Sequence, residues 1–195
     1  MHSSHKLATK ISVTLIIILI VTAILSISSY NWKNLFISLL AIACIIFVFI
    51  IEHFFKRKEL ILPPSFTLVT ILFIFFAEFF GEIIGFYSMF WWWDLLLHFI
   101  AGIYFVIISL HLMKNIIEKN RISTKKRYTL LIMIFAFSFS ISLGTLWEEF
   151  EFIGDYFFKT TMVKGALEDT MTDLLVKIIG AFITCLIYYF KRPKL

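Results

Sequence analysis

Long apolar runs bounded by charged or polar residues dominate the chain. A membrane-spanning α-helix needs about 20 mostly apolar residues, and several runs reach or approach that length. The pattern predicts an all-α, polytopic transmembrane bundle in which residues 1–195 form one integral membrane domain. The predicted spans are about 11–29, 35–51, 65–87, 95–113, 128–147 and 170–190.

The first run has two interpretations. Lys6 and Lys10 precede it, and Ser26 and Ser28 lie at its end, as in a cleaved signal peptide. However, only the short polar stretch 28–34 separates it from the next apolar run. That spacing favours a helical hairpin.

Composition supports a membrane protein and excludes most alternatives. Hydrophobic residues make up 61% of the chain and charged residues 16%, against roughly 45–50% and about 25% in soluble domains. Little sequence remains for a soluble domain. The net charge of +5 would need a soluble basic face to indicate nucleic-acid binding, so no nucleic-acid partner is expected. Cys44 and Cys185 lie within apolar runs and resemble buried hydrophobes.

The basic residues predict an orientation. If the amino terminus is cytoplasmic, most of the 18 basic residues fall on that side, and the positive-inside rule places both termini there. The lipid bilayer of a bacterial cytoplasmic membrane is therefore the expected location. The cytoplasmic set is Lys6, Lys10, Lys56, Arg57, Lys58, Lys114, Lys119, Arg121, Lys125, Lys126, Arg127, Lys191, Arg192 and Lys194.

Most acidic residues show the opposite distribution and fall into helical stripes. Positions three, four and seven apart share one helix face, and small residues on these faces permit close helix contact. The stripes predict one outward-facing Asp/Glu/His pocket shared by four helices. Its candidate residues are Glu78, Glu82, Asp94, His98, Glu148, Glu151, Asp155, Asp169 and Asp173.

The depth of Glu78 within the third span indicates which way its side chain points. Glu78 lies about 13 residues into it, near 20 Å from the inner boundary at about 1.5 Å per residue. An ionised carboxylate left against lipid there would cost about 2.5 kcal/mol or more. We therefore expect Glu78 and Glu82 to face the interior. His98 lies one turn from Asp94, where it could accept, donate or pair with carboxylates.

Structural roles compete with functional ones. Asp94 could cap its helix, and Glu168 with Asp169 could favour a helix amino terminus. Glu149 points away from its neighbours and is expected to be solvated, and Lys177 could pair with Asp173 at i,i+4. The remaining histidines lie in tails or at cytoplasmic helix ends: His2, His5, His53 and His111.

One histidine among carboxylates suits a divalent cation such as Mg²⁺, Mn²⁺, Ca²⁺ or Zn²⁺, and it equally suits proton transfer. The candidate ligands are Asp94, His98, Glu148, Glu151, Asp169 and Asp173. The sequence has no H-E-x-x-H or G-x-S-x-G motif. Gly165, Asp169 and Asp173 match half of the CDP-alcohol phosphotransferase motif. The paired aspartates of the other half are missing.

Several short motifs together resemble a family. They are Asp94-x3-His98 before Gly102, Trp147-Glu148-x2-Glu151, Asp169-Thr170-x2-Asp173 and Ile179-Gly180-Ala181. This order is similar to that of the YjdF-like family of bacterial membrane proteins, over about residues 75–190, and more distantly to VanZ-like proteins. The resemblance implies a polytopic membrane protein with a shared site at these positions. VanZ-like proteins are associated with glycopeptide tolerance, which implies a role at the cell envelope. Glu151 stands where VanZ-like proteins tend to have Gln with a nearby Arg.

The sequence leaves three functions open. The first is a metal-binding enzyme or binding protein that acts on lipid headgroups or envelope components. The second is a cation- or proton-coupled carrier with Glu78 and Glu82 as titrating sites. The third is a non-catalytic membrane scaffold whose carboxylates only cap and pair. The absence of an internal repeat argues against the carrier.

The orientation is testable by cysteine labelling. A membrane-impermeant thiol reagent applied to intact cells should label Lys159→Cys and leave Lys119→Cys unlabelled, because the basic loops 52–64 and 114–127 are expected in the cytoplasm. Labelling after lysis serves as the accessibility control. External labelling at position 119 would reverse the orientation.

Overall fold

The computed structural model describes residues 2–60, 62–117, 125–158 and 167–191, and this part of the chain is helical throughout, with connecting turns. Six of its helices are long and apolar enough to cross a membrane. The six-span, all-α prediction is therefore confirmed. Length and composition of the helices do not define which side of the membrane is cytoplasmic, and the basic loop near residue 119 lies outside the described residues. The orientation therefore stays a prediction.

The chain divides into two compact units, Met1–Trp93 and Asp94–Leu195. The single integral membrane domain over residues 1–195 stays a prediction. The first unit contains α1 (His2–Ser28), α2 (Trp32–Arg57), α3 (Phe66–Phe75), a π-helical segment (Phe76–Ile83) and the short α4 (Phe86–Met89).

The first two helices form the expected hairpin. Tyr30 takes a left-handed conformation with φ of 56° in the connecting turn. The Asn31 side chain accepts a hydrogen bond of 3.1 Å from the backbone of Asn34, which satisfies one of the free amides at the start of α2. Below the turn, Leu19 and Ile45 are fully buried in an apolar core shared with α3.

The third span is not the regular helix predicted over 65–87. It changes from α- to π-helical at Phe76, and Ile84 donates its amide to the carbonyl of Phe79 at 2.9 Å, five residues earlier. Gly85 then ends the span with φ of 90°, a conformation that glycine adopts without a steric penalty. The apolar pattern does not distinguish the wider π-helical turn from an α-helical one, because it is the same in either helix.

The second unit contains three long helices: α5 (Trp93–Ile117), α6 (Lys125–Phe158) and α7 (Leu167–Phe190). The apolar part of α6 runs over residues 127–157, which is longer than the predicted span of 128–147. The helix continues because Trp147-Glu148-Glu149 carries no glycine or proline that would stop it.

Glycines bring these three helices close together. A Cβ atom at Gly102 on α5 would collide with the backbone carbonyl of Lys177 on α7, and one at Gly180 would lie 2.6 Å from the carbonyl of Phe99. At Gly144 on α6, a Cβ would collide with the Lys177 side chain. In addition, the Ser140 hydroxyl donates to the carbonyl of Gly102 at 3.0 Å. The sequence-based expectation that small residues permit close helix contact is confirmed here.

We expect Gly102→Ala to destabilise the second unit by about 1–3 kcal/mol, the usual cost of overpacking. Thermal unfolding in detergent can be followed with a thiol-reactive dye, because Cys185 is 5% exposed and becomes reactive on unfolding. Ile107→Ala on the same helix is the control, since Ile107 is 40% exposed. An unchanged midpoint for Gly102→Ala would contradict the close approach.

Candidate functional site

Two polar side chains lie one turn apart at the start of α5. Asp94 and His98 are in an i,i+4 relation, and His98 Nε2 lies 3.2 Å from Asp94 Oδ1. Helical spacing places both on one face, so the sequence-based pairing of these two residues is borne out. The His98 side chain is only 6% exposed.

Helix α6 supplies a second pair of carboxylates. Glu148 Oε1 lies 3.3 Å from the other imidazole nitrogen, His98 Nδ1. Glu151 follows on the same face, and the indole of Trp147 donates a hydrogen bond of 2.6 Å to its Oε1 atom. Both glutamates are buried.

Helix α7 completes the cluster with one acid and one base. Asp173 Oδ2 lies 3.8 Å from His98 Nε2. One turn further along, Lys177 Nζ lies 3.1 Å from Glu148 Oε1 and donates a hydrogen bond of 3.2 Å to the carbonyl of Gly144. Each of the three helices of the second unit therefore contributes charged groups to one buried cluster, and His98 touches carboxylates from all three.

Hydrogen-bonding capacity in the cluster is incompletely used. His98 Nδ1 is within ion-pair distance of Glu148, but within the described part of the chain it makes no aligned hydrogen bond, and neither does Asp173 Oδ1. Buried polar atoms normally have partners. Unsatisfied donors and acceptors at the centre of a charged cluster are where an ion, a water or a ligand group would be held.

The ligand-type atoms form two groups of three, each within 4.8 Å of one another. The first consists of Asp94, His98 and Asp173, and the second of His98, Glu148 and Glu151. His98 is common to both. The prediction that His98 lies near a carboxylate of α6 or α7 is confirmed by its contacts with Glu148 and Asp173.

The cluster contains more acid than base. It has four carboxylates, Asp94, Glu148, Glu151 and Asp173, and one lysine, Lys177. Even a protonated His98 would leave negative charge in excess. Removing charges from water costs several kcal/mol each unless they are paired, so the excess requires protons or a bound cation.

Lys177 is the residue whose importance the sequence interpretation missed. The sequence suggests a pair with Asp173 on its own helix, but Lys177 is 2% exposed and pairs with Glu148 on α6. The i,i+4 interpretation was therefore wrong. The signal was present in the glycines, since Gly102 and Gly144 leave room for its backbone and side chain.

Other candidates lie outside this cluster. Asp155 and Asp169 are half-buried and have interactions of their own, but among the described residues neither belongs to a three-residue ligand group. Glu149 is exposed, as expected. The four-helix pocket was predicted to include Glu78 and Glu82, and both belong to the first unit.

The two carboxylates of the first unit differ from each other. Glu82 Oε2 forms an ion pair of 2.9 Å with Lys33 of α2. Glu78 is 5% exposed, and its Oε2 atom has no hydrogen-bond partner among the residues described. The prediction that both side chains avoid lipid is confirmed, because the Glu82 side chain is also only 6% exposed.

Comparison with known proteins gives a family but no activity. The family described as "Predicted membrane protein (DUF2238)" matches residues 11–194, consistent with the YjdF-like resemblance, whereas the VanZ-like resemblance stays a prediction. An uncharacterised protein of Thermotoga maritima is 26% identical over 137 residues, which are 70% of this chain and 64% of that relative. The chain thus spans less than two thirds of that relative's length. No solved structure matches.

We expect Lys177→Met to destabilise the protein by about 3 kcal/mol, because it leaves the Glu148 charge buried without its cation. Adding Glu148→Gln should recover much of the loss, since the uncompensated charge is removed. The unfolding midpoints of the two single variants and of the double variant give the coupling energy between Lys177 and Glu148. Lys10→Met, at an exposed position, is the control. Additive losses in the double variant would contradict the ion pair.

Proposed function

The chain belongs to the DUF2238 family of predicted membrane proteins, and we propose that it binds one divalent metal ion through Asp94, His98 and Asp173. We further propose that the ion serves an enzyme or binding protein for polar lipid headgroups or envelope components. The proposed location is the outer side of a bacterial cytoplasmic membrane. The distribution of basic residues along the sequence supports that orientation.

The spacing of the ligand atoms carries the proposal. His98 Nε2 lies 3.2 Å from Asp94 Oδ1 and 3.8 Å from Asp173 Oδ2. An ion with tetrahedral bonds of about 2.0–2.2 Å holds neighbouring ligand atoms about 3.3–3.6 Å apart. Small side-chain adjustments would therefore place all three atoms around one ion. Because Asp173 Oδ1 has no hydrogen-bond partner among the described residues, that carboxylate is free to reorient.

Charge balance favours a divalent ion. The Lys177 ammonium neutralises Glu148 at 3.1 Å. Of the three remaining acids, Glu151 lies outside the group formed by Asp94, His98 and Asp173, which contains two acids beside a single imidazole. Two positive charges would neutralise these two carboxylates and allow His98 to stay uncharged as a ligand. A buried, unneutralised pair of carboxylates would be unfavourable within the membrane.

The donor set narrows the identity of the ion. Imidazole favours Zn²⁺ and other borderline metals, whereas carboxylates also suit Mn²⁺. The mixed set of one nitrogen and two carboxylate groups therefore points to Zn²⁺ or Mn²⁺. Three protein ligands are typical of catalytic sites, where a further position takes water or substrate. A metal held in this way would supply Lewis-acid chemistry.

The depth of the site suits headgroups. Asp94 is the second residue of α5, and the exposed aromatic residues Trp91 and Trp92 lie immediately before that helix. Asp173 lies six residues after the start of α7, or about 9 Å along the helix. Tryptophans concentrate at the membrane interface, so the ligands lie just beneath the headgroup region. A polar headgroup could reach a metal at this depth without crossing the apolar core.

The metal site is tested by elemental analysis of protein purified in mild detergent without chelators. We expect close to one Zn²⁺ or Mn²⁺ per chain. His98→Gln and Asp173→Asn should weaken the binding of added metal by at least about tenfold, because each removes a ligand. His111→Gln on the same helix is the matched control and should keep full occupancy.

Lipid mass spectrometry of the same samples tests the headgroup part of the proposal. One class of phospholipid or envelope lipid should co-purify with the wild type and with His111→Gln, and should be depleted in Asp94→Asn. Metal binding without lipid enrichment would remove the headgroup assignment. A wild-type protein that binds neither Zn²⁺ nor Mn²⁺ at micromolar concentration would leave the scaffold function as the better account.

A further inference from the structure

A second ionisable site lies in the first unit, and it does not depend on the metal site. Glu78 lies in the π-helical segment of the third span and is 5% exposed. Its Oε2 atom is buried, and none of the residues described offers it a hydrogen bond. Helices with π-helical turns often carry functional groups there.

The two acids of this segment are held in different ways. Glu82, one turn away, has its own cation, because Lys33 Nζ lies 2.9 Å from its Oε2 atom. Among the described residues, Glu78 takes part in no ion pair. It interacts electrostatically with Glu82 and with the Cys44 thiol of α2, and neither of these groups is cationic.

The remaining surroundings of the π-helical segment are apolar or uncharged. Helix α3 contains no ionisable side chain, and α4 contributes only Tyr87, whose ring packs against Gly81. Phe75 stacks on Phe79 with ring centroids 4.7 Å apart. The ionisable groups of the first unit that interact with Glu78 are therefore Glu82 and Cys44. The nearby cation, Lys33, forms its ion pair with Glu82.

We propose that Glu78 is a proton-binding site, holding a proton on its carboxyl group inside the membrane and releasing it reversibly. The geometry supports this assignment because an ionised carboxylate with an unpartnered oxygen would be costly at this depth. A protonated carboxyl is neutral and avoids that cost. Glu78 and Glu82 lie on the same π-helical segment. Glu82 is a structural acid because it is paired with Lys33, whereas Glu78 is the proton-binding acid.

A hydrophobic carbodiimide, dicyclohexylcarbodiimide, tests the proposal. It reaches acids inside membranes and reacts with their protonated form. The carboxyl oxygen adds to the central carbon, the proton moves to nitrogen, and the acyl group then migrates to nitrogen to give a stable N-acylurea, with no atom lost. Wild-type protein in lipid vesicles should gain one such adduct at Glu78, located by tandem mass spectrometry.

The variants separate the two acids. Glu82→Gln should retain the Glu78 adduct, and Glu78→Gln should lose it without gaining one at Glu82, which is paired with Lys33. Glu78→Asp restores a carboxyl group and should react again, and this distinguishes loss of the acid from loss of the fold. Gel filtration and dye reactivity of Cys185 in each variant report folding independently.

The dependence on pH decides whether the site binds protons reversibly. Above the pH at which Glu78 loses its proton, the labelling rate should fall about tenfold per pH unit, and returning to low pH should restore it. A rate independent of pH, or no adduct in folded protein while detergent-unfolded protein reacts, would overturn the proposal. Slower labelling on addition of Na⁺ at constant pH and ionic strength would also overturn it, in favour of a metal-cation site.

Discussion

The buried ion pair between Lys177 and Glu148 is the interaction on which the second unit depends. It joins α7 to α6 at 3.1 Å, and its lysine occupies space that Gly102 and Gly144 leave open. The same glutamate lies 3.3 Å from His98 on α5. One carboxylate of α6 therefore contacts charged or polar side chains of both other helices. Within a membrane, such a pair cannot exchange its partner for water. The helices are therefore fixed at the separation that the charges require.

The sequence predicted the helices well because the membrane permits few structures. Backbone groups in lipid must be satisfied within the element, so a long apolar run almost requires a helix. The same argument explains the failure at Phe76–Ile83: α- and π-helices both satisfy the backbone, and the apolar residues do not distinguish them. Gly85 lies within the predicted span of 65–87, whereas its left-handed conformation ends the helix before it.

The candidate site was predictable only in part, for a geometric reason. Helical spacing identifies which side chains share a face, and it correctly joined Asp94 with His98. It does not reveal which faces meet, and Lys177 was accordingly assigned a partner on its own helix. Gly144 lies one turn before Glu148 and leaves room for the Lys177 side chain of α7. The glycine shows that a close approach is possible here, but which side chain fills the space depends on three-dimensional packing, which one sequence does not contain.

The buried carboxylates differ in the kind of partner they have. Glu82 uses Lys33 and Glu148 uses Lys177, and both are direct ion pairs of about 3 Å. Glu151 accepts a hydrogen bond from Trp147. Asp94 and Asp173 share the single imidazole of His98, and Glu78 has no cation within the described residues. Charged groups inside a membrane are costly unless they are neutralised. The number and geometry of the acids therefore favour a different proposed cation at each site: a metal ion where two acids and an imidazole converge, and a proton where one acid stands alone.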